Sequence, residues 1–581
     1  MRMSKGRTPM TSNSCYPLDA LREEVSAQLR AAGIKEEDLR IEYPPPGIDA
    51  ALAFPCFRLS QKEKKAPALI AQEIAEKIKI GVLGLLPVAQ GPYVNFSINP
   101  EPYDRLTLAC IDEKGAHYGG EEKNEKTIII EYSSPNIAKP MSVGHLRTTI
   151  IGQVLKQLFR FLGYRAIGIN HLGDWGTQFG KLIVAFRKWG DEERLQEAPI
   201  NELLRIYVLF HQEAEKDPSL EEEGRKAFND LEKGDAGAQK LWERFRNLTL
   251  DEIDRIYQAM GVDFEHVTGE SFYEDKMQKV IDAIQAKGLS EESEGAQIVP
   301  LKEHGIKQPL LLKKRDGSSL YATRDLAAAV YRVETFHPAK ILYVVGSEQK
   351  LHFQQFFKVL ELLGYDPGLF VHVDFGLVNL PEGKMSTREG RVIFLESLID
   401  EATTRAKQRL VEREFQGTPE ELDQLARMVG ISAIKYRDIY QPRNRSITFD
   451  WDEMLSTEGN SSVYIQYALV RMKGILRKGE VEAFIDPEAA KILVSPQEIA
   501  LIRELSRFPE KVRLAAKEYE PFHVADSVYE ICQAFSRFYK ENPVLIASEP
   551  QRSARLTLVS ATARVLENGM DILGIAKPEK M

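Results

Sequence analysis

No run of about 18 consecutive apolar residues occurs in the 581-residue sequence, so no helical membrane span is expected. The amino-terminal MRMSKGRTPMTSNS leads into no apolar stretch of the kind that directs export, and a secreted protein is not expected either. Cysteine is scarce. Cys15, Cys56, Cys110 and Cys532 are scattered and make no CxxC pair, which argues against a zinc site and a disulfide framework and suits a reducing cytoplasm. Repeats and low-complexity segments are absent. An excess of positive charge is missing too: the net charge of −9 does not suggest a general nucleic-acid binder. The deficit is uneven, because residues 461–581 carry 17 Lys/Arg against 16 Asp/Glu. A nearly neutral tail on an acidic body is compatible with a phosphate-backbone contact there, and equally with solvated helices.

What remains is an ordinary globular composition, 43% hydrophobic and 28% charged, long enough for about three or four domains. Residues 1–120 read as an α/β module. PLDALREEVSAQLRAAG has helical periodicity and stops at Gly33, APALIAQEIAEKI is a second helix, and GPYVNFSIN alternates as a strand. GGEEKNEK (119–126) reads as a linker. TIIIEYSS then opens a domain over 121–395, with a strand apolar enough to be buried on both faces of a parallel sheet. A loop, a helix ending at Gly163 and the strand YRAIGIN follow, which makes a βαβ unit. The stretch 190–300 reads as a charged helical insertion without chemistry. The α/β pattern returns at 308–378, first as a hairpin around Asp316-Gly317 and then as alternating helices and strands. Residues 396–460 read as a helical stem and 461–581 as an all-helical domain.

Ligands of doubly wound sheets sit beyond the carboxyl ends of the strands, and four polar loops fall there. The first is SSPNIAKPMSVGHLRTTIIG (133–152). Gly144 precedes a helix start with free N–H groups, His145 can donate to a phosphate oxygen, and Lys139 adds a point charge. The same residues could form a solvent-facing turn. The second, NHLGDWGTQFGK, sets Asp174 among Gly173, Gly176 and Gly180, which fits either close ligand approach or a tight turn. The third, YATRDLAA into VVGSEQKLHFQQ, puts Tyr321 and Asp325 four apart on one helix face, where Asp325 could bind a cationic group or pair with a neighbour. The fourth, GKMSTREG, holds Lys384 and Arg388 between glycines. It could be a surface turn or a loop that closes over a triphosphate.

Together and in this order the loops resemble a class I aminoacyl-tRNA synthetase: SVGH stands where that family has HIGH, and KMSTR where it has KMSKS. More specifically the chain resembles the arginyl-tRNA synthetases over nearly its whole length. HLGDWGTQFGKL, YATRDLAA, SEQKLHFQQ, KMSTREG, FDWDEMLSTEGNSSVYIQYALVRM and the ending LGIAKPEKM carry that likeness. The resemblance implies a Rossmann-type catalytic domain with a split parallel sheet, an N-terminal tRNA-recognition module and a C-terminal anticodon-binding domain of the DALR type. It implies that arginine and ATP give arginyl-adenylate and diphosphate, and that the arginyl group then passes to tRNA(Arg). It assigns catalysis to His145, Lys384 and Lys139. ATP would be held by Ser142, Gly144, His145, Gly173, Asp174, Lys384, Met385 and Ser386. Glu131, Ser134, Asn136, Tyr321, Asp325 and Gln349 would hold arginine, whose planar, permanent charge suits carboxylates and hydroxyls. Mg2+ would accompany ATP with no dedicated protein site and no zinc, in a cytoplasmic monomer without an editing domain. Tyr464, Tyr467 and Arg471 are candidates for stacking on unpaired tRNA bases, although core packing would explain them as well.

Two positions depart from the family pattern. Ser142 stands where HIGH begins with His, and Thr387 where KMSKS has its second Lys, a charge that Lys139 is expected to replace. Ser142 leaves open a tRNA-binding paralogue with weakened or lost catalysis. A small nucleotidylyltransferase shares an HxGH loop but would not need this length, and a cysteinyl-type enzyme would bring zinc ligands.

Overall fold

The computed structural model describes residues 16–45, 48, 50–79, 81–83, 86–313, 321–380, 383–384, 393–480 and 485–581, with backbone alone at 321, 380, 383 and 384. Its centre is a sheet of five parallel strands: β1 (Thr127–Glu131), β2 (Arg165–Asn170), β3 (His266–Val267), β4 (Lys340–Gly346) and β5 (Phe370–Phe375). They lie in the order β3-β2-β1-β4-β5. The order reverses between β1 and β4, so the loops leaving these two strands diverge and open a crevice at their carboxyl ends.

Strand alternation decides what faces what. Ile128 and Ile130 pack against Leu146, Ile150 and Val154 of helix α1 (Leu146–Phe161). Ile129 points the other way, into a core with Ile167, Ile341, Tyr343 and Leu326, the last from helix α2 (Tyr321–Phe336). Glu131 shares the parity of Ile129 and is thereby aimed toward α2. Helix α3 (Lys350–Leu363) covers the same face through Phe353 and Phe356.

The expected helical insertion is shorter than 190–300. Its helices end at Met260, and His266–Val267 returns to the main sheet as the edge strand β3. A two-residue strand has no periodicity to read. Beyond it come a helix (Met277–Ala286) and a small antiparallel sheet of Glu291–Ser293, Ala296–Val299 and Leu310–Lys313. The hairpin expected around Asp316-Gly317 lies outside the described residues.

The N-terminal module has a three-stranded antiparallel sheet (Leu52–Pro55, Tyr93–Ser97, Leu86–Gln90) with helices Pro17–Ala31, Phe57–Glu63 and Pro67–Lys77. The stem is formed by α4 (Leu395–Glu412) and α5 (Pro419–Ile439). Four long helices build the C-terminal domain: α6 (Ser462–Gly479), α7 (Pro496–Glu518), α8 (Phe522–Glu541) and α9 (Gln551–Leu573).

Candidate active site

The loop after β1 holds three non-glycine residues with left-handed backbone: Ser133 (φ 72°), Ser134 (φ 49°) and Ala138 (φ 62°). Such residues persist only where surroundings over-determine them, and here they do. Ser133 N–H donates to Thr148 Oγ1 at 3.0 Å, and Thr149 Oγ1 donates to Ser133 Oγ at 2.8 Å. Ser133 Oγ also meets the Tyr257 hydroxyl at 2.7 Å, and Asn170 Nδ2 donates to that hydroxyl at 3.0 Å. Ala138 N–H donates to Thr249 Oγ1 at 3.2 Å. Tyr257 and Thr249 belong to the insertion, which the sequence offered as chemically silent. In the fold it buttresses the signature loop.

A 3-10 turn, Val143–His145, leads into α1. The Ser142 backbone N–H donates to His145 Nδ1 at 3.2 Å. A ring nitrogen that accepts leaves the proton on Nε2, so the outward nitrogen is a donor. Burial lowers the His145 pKa, which keeps the ring neutral at neutral pH. Ser142 Oγ lies 3.3 Å from the same Nδ1. Gly144 is exposed, has no positive φ, and a Cβ there would meet only Ser142 Oγ at 3.2 Å. The backbone does not demand glycine at this place. Lys139 stands with its ammonium 5.2 Å from the centre of the Tyr207 ring, and burial lowers its pKa.

The fourth loop returns to the first. From β5 the chain passes Gly376 into Val378–Leu380, with which Gly383–Lys384 pairs antiparallel, Lys384 opposite Asn379. It is next described at Ile393, whose carbonyl accepts from Val143 N–H at 3.0 Å, while Leu395 N–H donates to the Met141 carbonyl at 2.8 Å. The first signature segment is therefore paired backbone to backbone with the chain at Ile393–Leu395. Met385, Ser386 and Arg388 lie outside the described residues, and only the backbone of Lys384 is described.

The third region lies on the α2 side of the sheet. Asp325 Oδ2 and His352 Nε2 are 2.8 Å apart. Burial draws the His352 pKa down, but the hydrogen bond and charge of Asp325, aided by Glu131, raise it on balance. Glu131 is already engaged: it forms an ion pair with Arg332 of α2, a guanidinium with 0% exposure that lies between the Tyr273 and Tyr343 rings, 5.8 Å from each. Sequence reasoning missed Arg332, Tyr343, His171 and His352. Asn136 is half-buried and Gln349 exposed on the turn after β4. Ser134 is held through its N–H by Asn170 Oδ1 at 3.1 Å. Tyr321 begins α2, and its side chain is outside what is described.

Gly173 and Asp174 sit differently from the expectation that they meet ATP. Both are buried. A Cβ on Gly173 would lie 2.2 Å from Asn136 Oδ1, so this glycine lets two strand-end loops touch. Asp174 is filled by its own chain: Arg246 Nε donates at 3.1 Å, Ser271 N–H at 2.9 Å and Ser271 Oγ at 2.8 Å. These contacts tie Asp174 to the insertion through Arg246 and to the segment after β3 through Ser271.

In the C-terminal domain the three tRNA candidates separate. Tyr464 is tied inward, with its hydroxyl 2.9 Å from Ser536 Oγ. Arg471 lies 4.8 Å from the Tyr467 ring and 5.8 Å from that of Tyr539, an additional partner, and both rings are partly open to solvent. A cation between two aromatic faces at a surface is suited to stacking with unpaired bases.

The chain matches three protein-family models: "tRNA synthetases class I (R), catalytic domain" over residues 107–451, "DALR anticodon binding domain" over 465–581, and "Arginyl tRNA synthetase N terminal domain" over 19–98. It is 44% identical over 559 residues to the arginine–tRNA ligase of Halothermothrix orenii, covering 96% of this chain and 98% of that protein. To the arginine–tRNA ligase of Clostridium perfringens it is 46% identical over 546 residues, covering 93% and 96%. The crystal structure of arginyl-tRNA synthetase from Plasmodium falciparum aligns with a TM-score of 0.80 at 25% identity, covering 97% of this chain and 99% of that one.

Proposed function

Because the chain belongs to the class I arginyl-tRNA synthetases, we propose that its ATP-dependent attachment of arginine to tRNA takes place in the crevice between β1 and β4, with the parts as follows. The arginine carboxylate attacks the α-phosphorus of ATP, the bond to the β-phosphate breaks, and diphosphate leaves. The terminal ribose hydroxyl of tRNA(Arg) then attacks the arginyl carbonyl and AMP leaves. No covalent enzyme intermediate is needed, so the protein's work is alignment and charge stabilisation.

His145 donates from Nε2 to phosphate oxygen, the tautomer being set by the Ser142 N–H. Lys139 and Lys384 supply positive charge, and Gly144 lets the nucleotide approach the backbone. Met385 and Ser386 extend the Lys384 side. Asp325 takes the guanidinium, with Tyr321 beside it. Glu131, neutralised by Arg332, contributes an oriented acceptor rather than a free charge. Ser134, Asn136 and Gln349 hold the amino-acid end. Mg2+ carried by the triphosphate would offset part of its charge. Among the described residues no group of three or more His, Cys, Asp or Glu is placed to hold a metal. The N-terminal module and the Tyr467–Arg471–Tyr539 cluster meet tRNA. Family membership supports a cytoplasmic monomer. No described helix is long and apolar enough to cross a membrane.

The observation that best supports this reading is the backbone pairing of Met141–Val143 with Ile393–Leu395, which ties the first signature to the chain that follows the second. Nothing favours a paralogue without catalysis, because Ser142 still orients His145 through its backbone. The test is arginine-dependent ATP–pyrophosphate exchange, with and without tRNA, against a panel of amino acids. Arginine alone should support exchange, and His145→Ala and Lys384→Ala should each lower it by on the order of 100-fold. Undiminished exchange in His145→Ala would refute the assignment.

A further inference from the structure

We propose that Arg147 is a positioning residue for ATP, setting the base of the Lys384 loop against the signature helix. This rests on the reading of Lys384 as a phosphate contact. Arg147 follows His145 by two residues and is almost wholly buried. Its Nε donates to Asp438 Oδ1 of α5 at 2.6 Å. Its Nη1 donates to two carbonyls at once, Gly376 at 2.7 Å and Arg445 at 2.8 Å.

Those carbonyls mark the two chain segments that carry the loop. Gly376 lies just before Val378–Leu380, the strand to which Lys384 is paired. Arg445 lies just before Ile447–Thr448, which pairs with Val378–Leu380 on its other side. One nitrogen thus fastens both roots of this small sheet to the helix that follows His145. The segments are pressed together there: a Cβ on Gly376 would lie 2.7 Å from the Arg445 carbonyl carbon, and Gly376 N–H donates to the Arg443 carbonyl at 2.9 Å.

The pair is not arranged to maximise stability. Arg147 Nη2 and Asp438 Oδ2 are buried without hydrogen-bond partners, and a buried ion pair is in general weak evidence for a stabilising role. What an apolar filling could not reproduce is the forked placement of two backbones, and that placement determines where Lys384 stands.

The test uses the full chain, with Arg147→Lys, Gly376→Ala and, as a control, Lys384→Ala. Lysine keeps the charge beside Asp438 but cannot reach all three acceptors, and alanine at 376 spreads the same segments from the other side. ATP–pyrophosphate exchange is measured against ATP and against arginine, normalised to active sites. We expect Arg147→Lys and Gly376→Ala to raise KM for ATP and lower kcat by on the order of 10- to 100-fold, with KM for arginine within about twofold. A purely structural role would lower the folded fraction and leave both KM values unchanged. An unchanged KM for ATP in a folded variant, or an equal rise in both KM values, would overturn the proposal. Wild-type exchange in Lys384→Ala would instead remove the loop reading beneath it.

Discussion

Replacing Asp325 by Asn tests the arginine pocket where it is most exposed to error. The carboxylate is 26% open to solvent and has one oxygen on His352, so it is neither free in water nor deeply buried. At about 3–4 Å and an effective dielectric near 20, a carboxylate and a guanidinium attract by about 4 kcal/mol. Desolvation and the loss of the His352 contact take back part of this, leaving about 2–3 kcal/mol. At about 1.4 kcal/mol per tenfold, KM for arginine should rise about 30- to 150-fold in Asp325→Asn. The guanidinium is held alike before and during the chemical step, so kcat at saturating arginine should change only a few-fold. Exchange kinetics at varied arginine measure both. A KM within about twofold of wild type would refute the placement of the substrate cation at Asp325.

The same pair gives the experiment a pH arm. Protonated His352 puts a cation on the carboxylate that the substrate needs. The facing charges are Glu131, Arg332 and the half-buried His171, of which Arg332 already compensates Glu131. As pH falls through the raised His352 pKa, KM for arginine should climb, at most about tenfold per pH unit for one proton; above it KM should be flat. In Asp325→Asn the cause of the upward shift is gone, so the inflection should move to lower pH. An inflection at the same pH in both proteins would mean that another group titrates.

Why some of this was readable in advance follows from what each residue stands against. TIIIE could only be a strand buried on both faces, and its alternation even decides that Glu131 looks toward α2. The polar loops stood out because apolar strands precede them. Partnerships across long separations were not visible. Arg332 sits in AVYRVETF, where a lone arginine reads as the wet side of an amphipathic helix, yet it is sealed against Glu131, 201 residues earlier. Asp174, an acid between glycines after a strand, has every local mark of a ligand contact. Its partners Arg246 and Ser271 lie 72 and 97 residues further on, and nothing local distinguishes a carboxylate so satisfied from an open one. The insertion looked silent because its contribution is single hydroxyls, Tyr257 and Thr249, on otherwise amphipathic turns.

Two further predictions concern Ser142 and Asp104. Ser142→Ala should retain exchange within about threefold, because the backbone N–H of residue 142 orients His145 and the hydroxyl adds only a long contact at 3.3 Å; a loss of about 100-fold would place the hydroxyl itself on the phosphates. Asp104 offers a stability test away from the site. It stands 1% exposed on the helix Pro100–Lys114, with neither carboxylate oxygen hydrogen-bonded. Burial raises its pKa to about 8, against the opposing charge of Arg503. In the unfolded chain it titrates near 3.8, so between these values the native state holds one proton more. Stability present in acid is therefore lost as pH rises through that window, by about 1.4 kcal/mol per pH unit, and no further above about 8. Asp104→Asn cannot ionise and should lack this slope. Relative to wild type, its urea midpoint should gain the equivalent of about 2–3 kcal/mol between pH 6 and pH 8. A difference that is the same at both pH values would mean that Asp104 is already ionised in the fold and that Arg503 outweighs its burial.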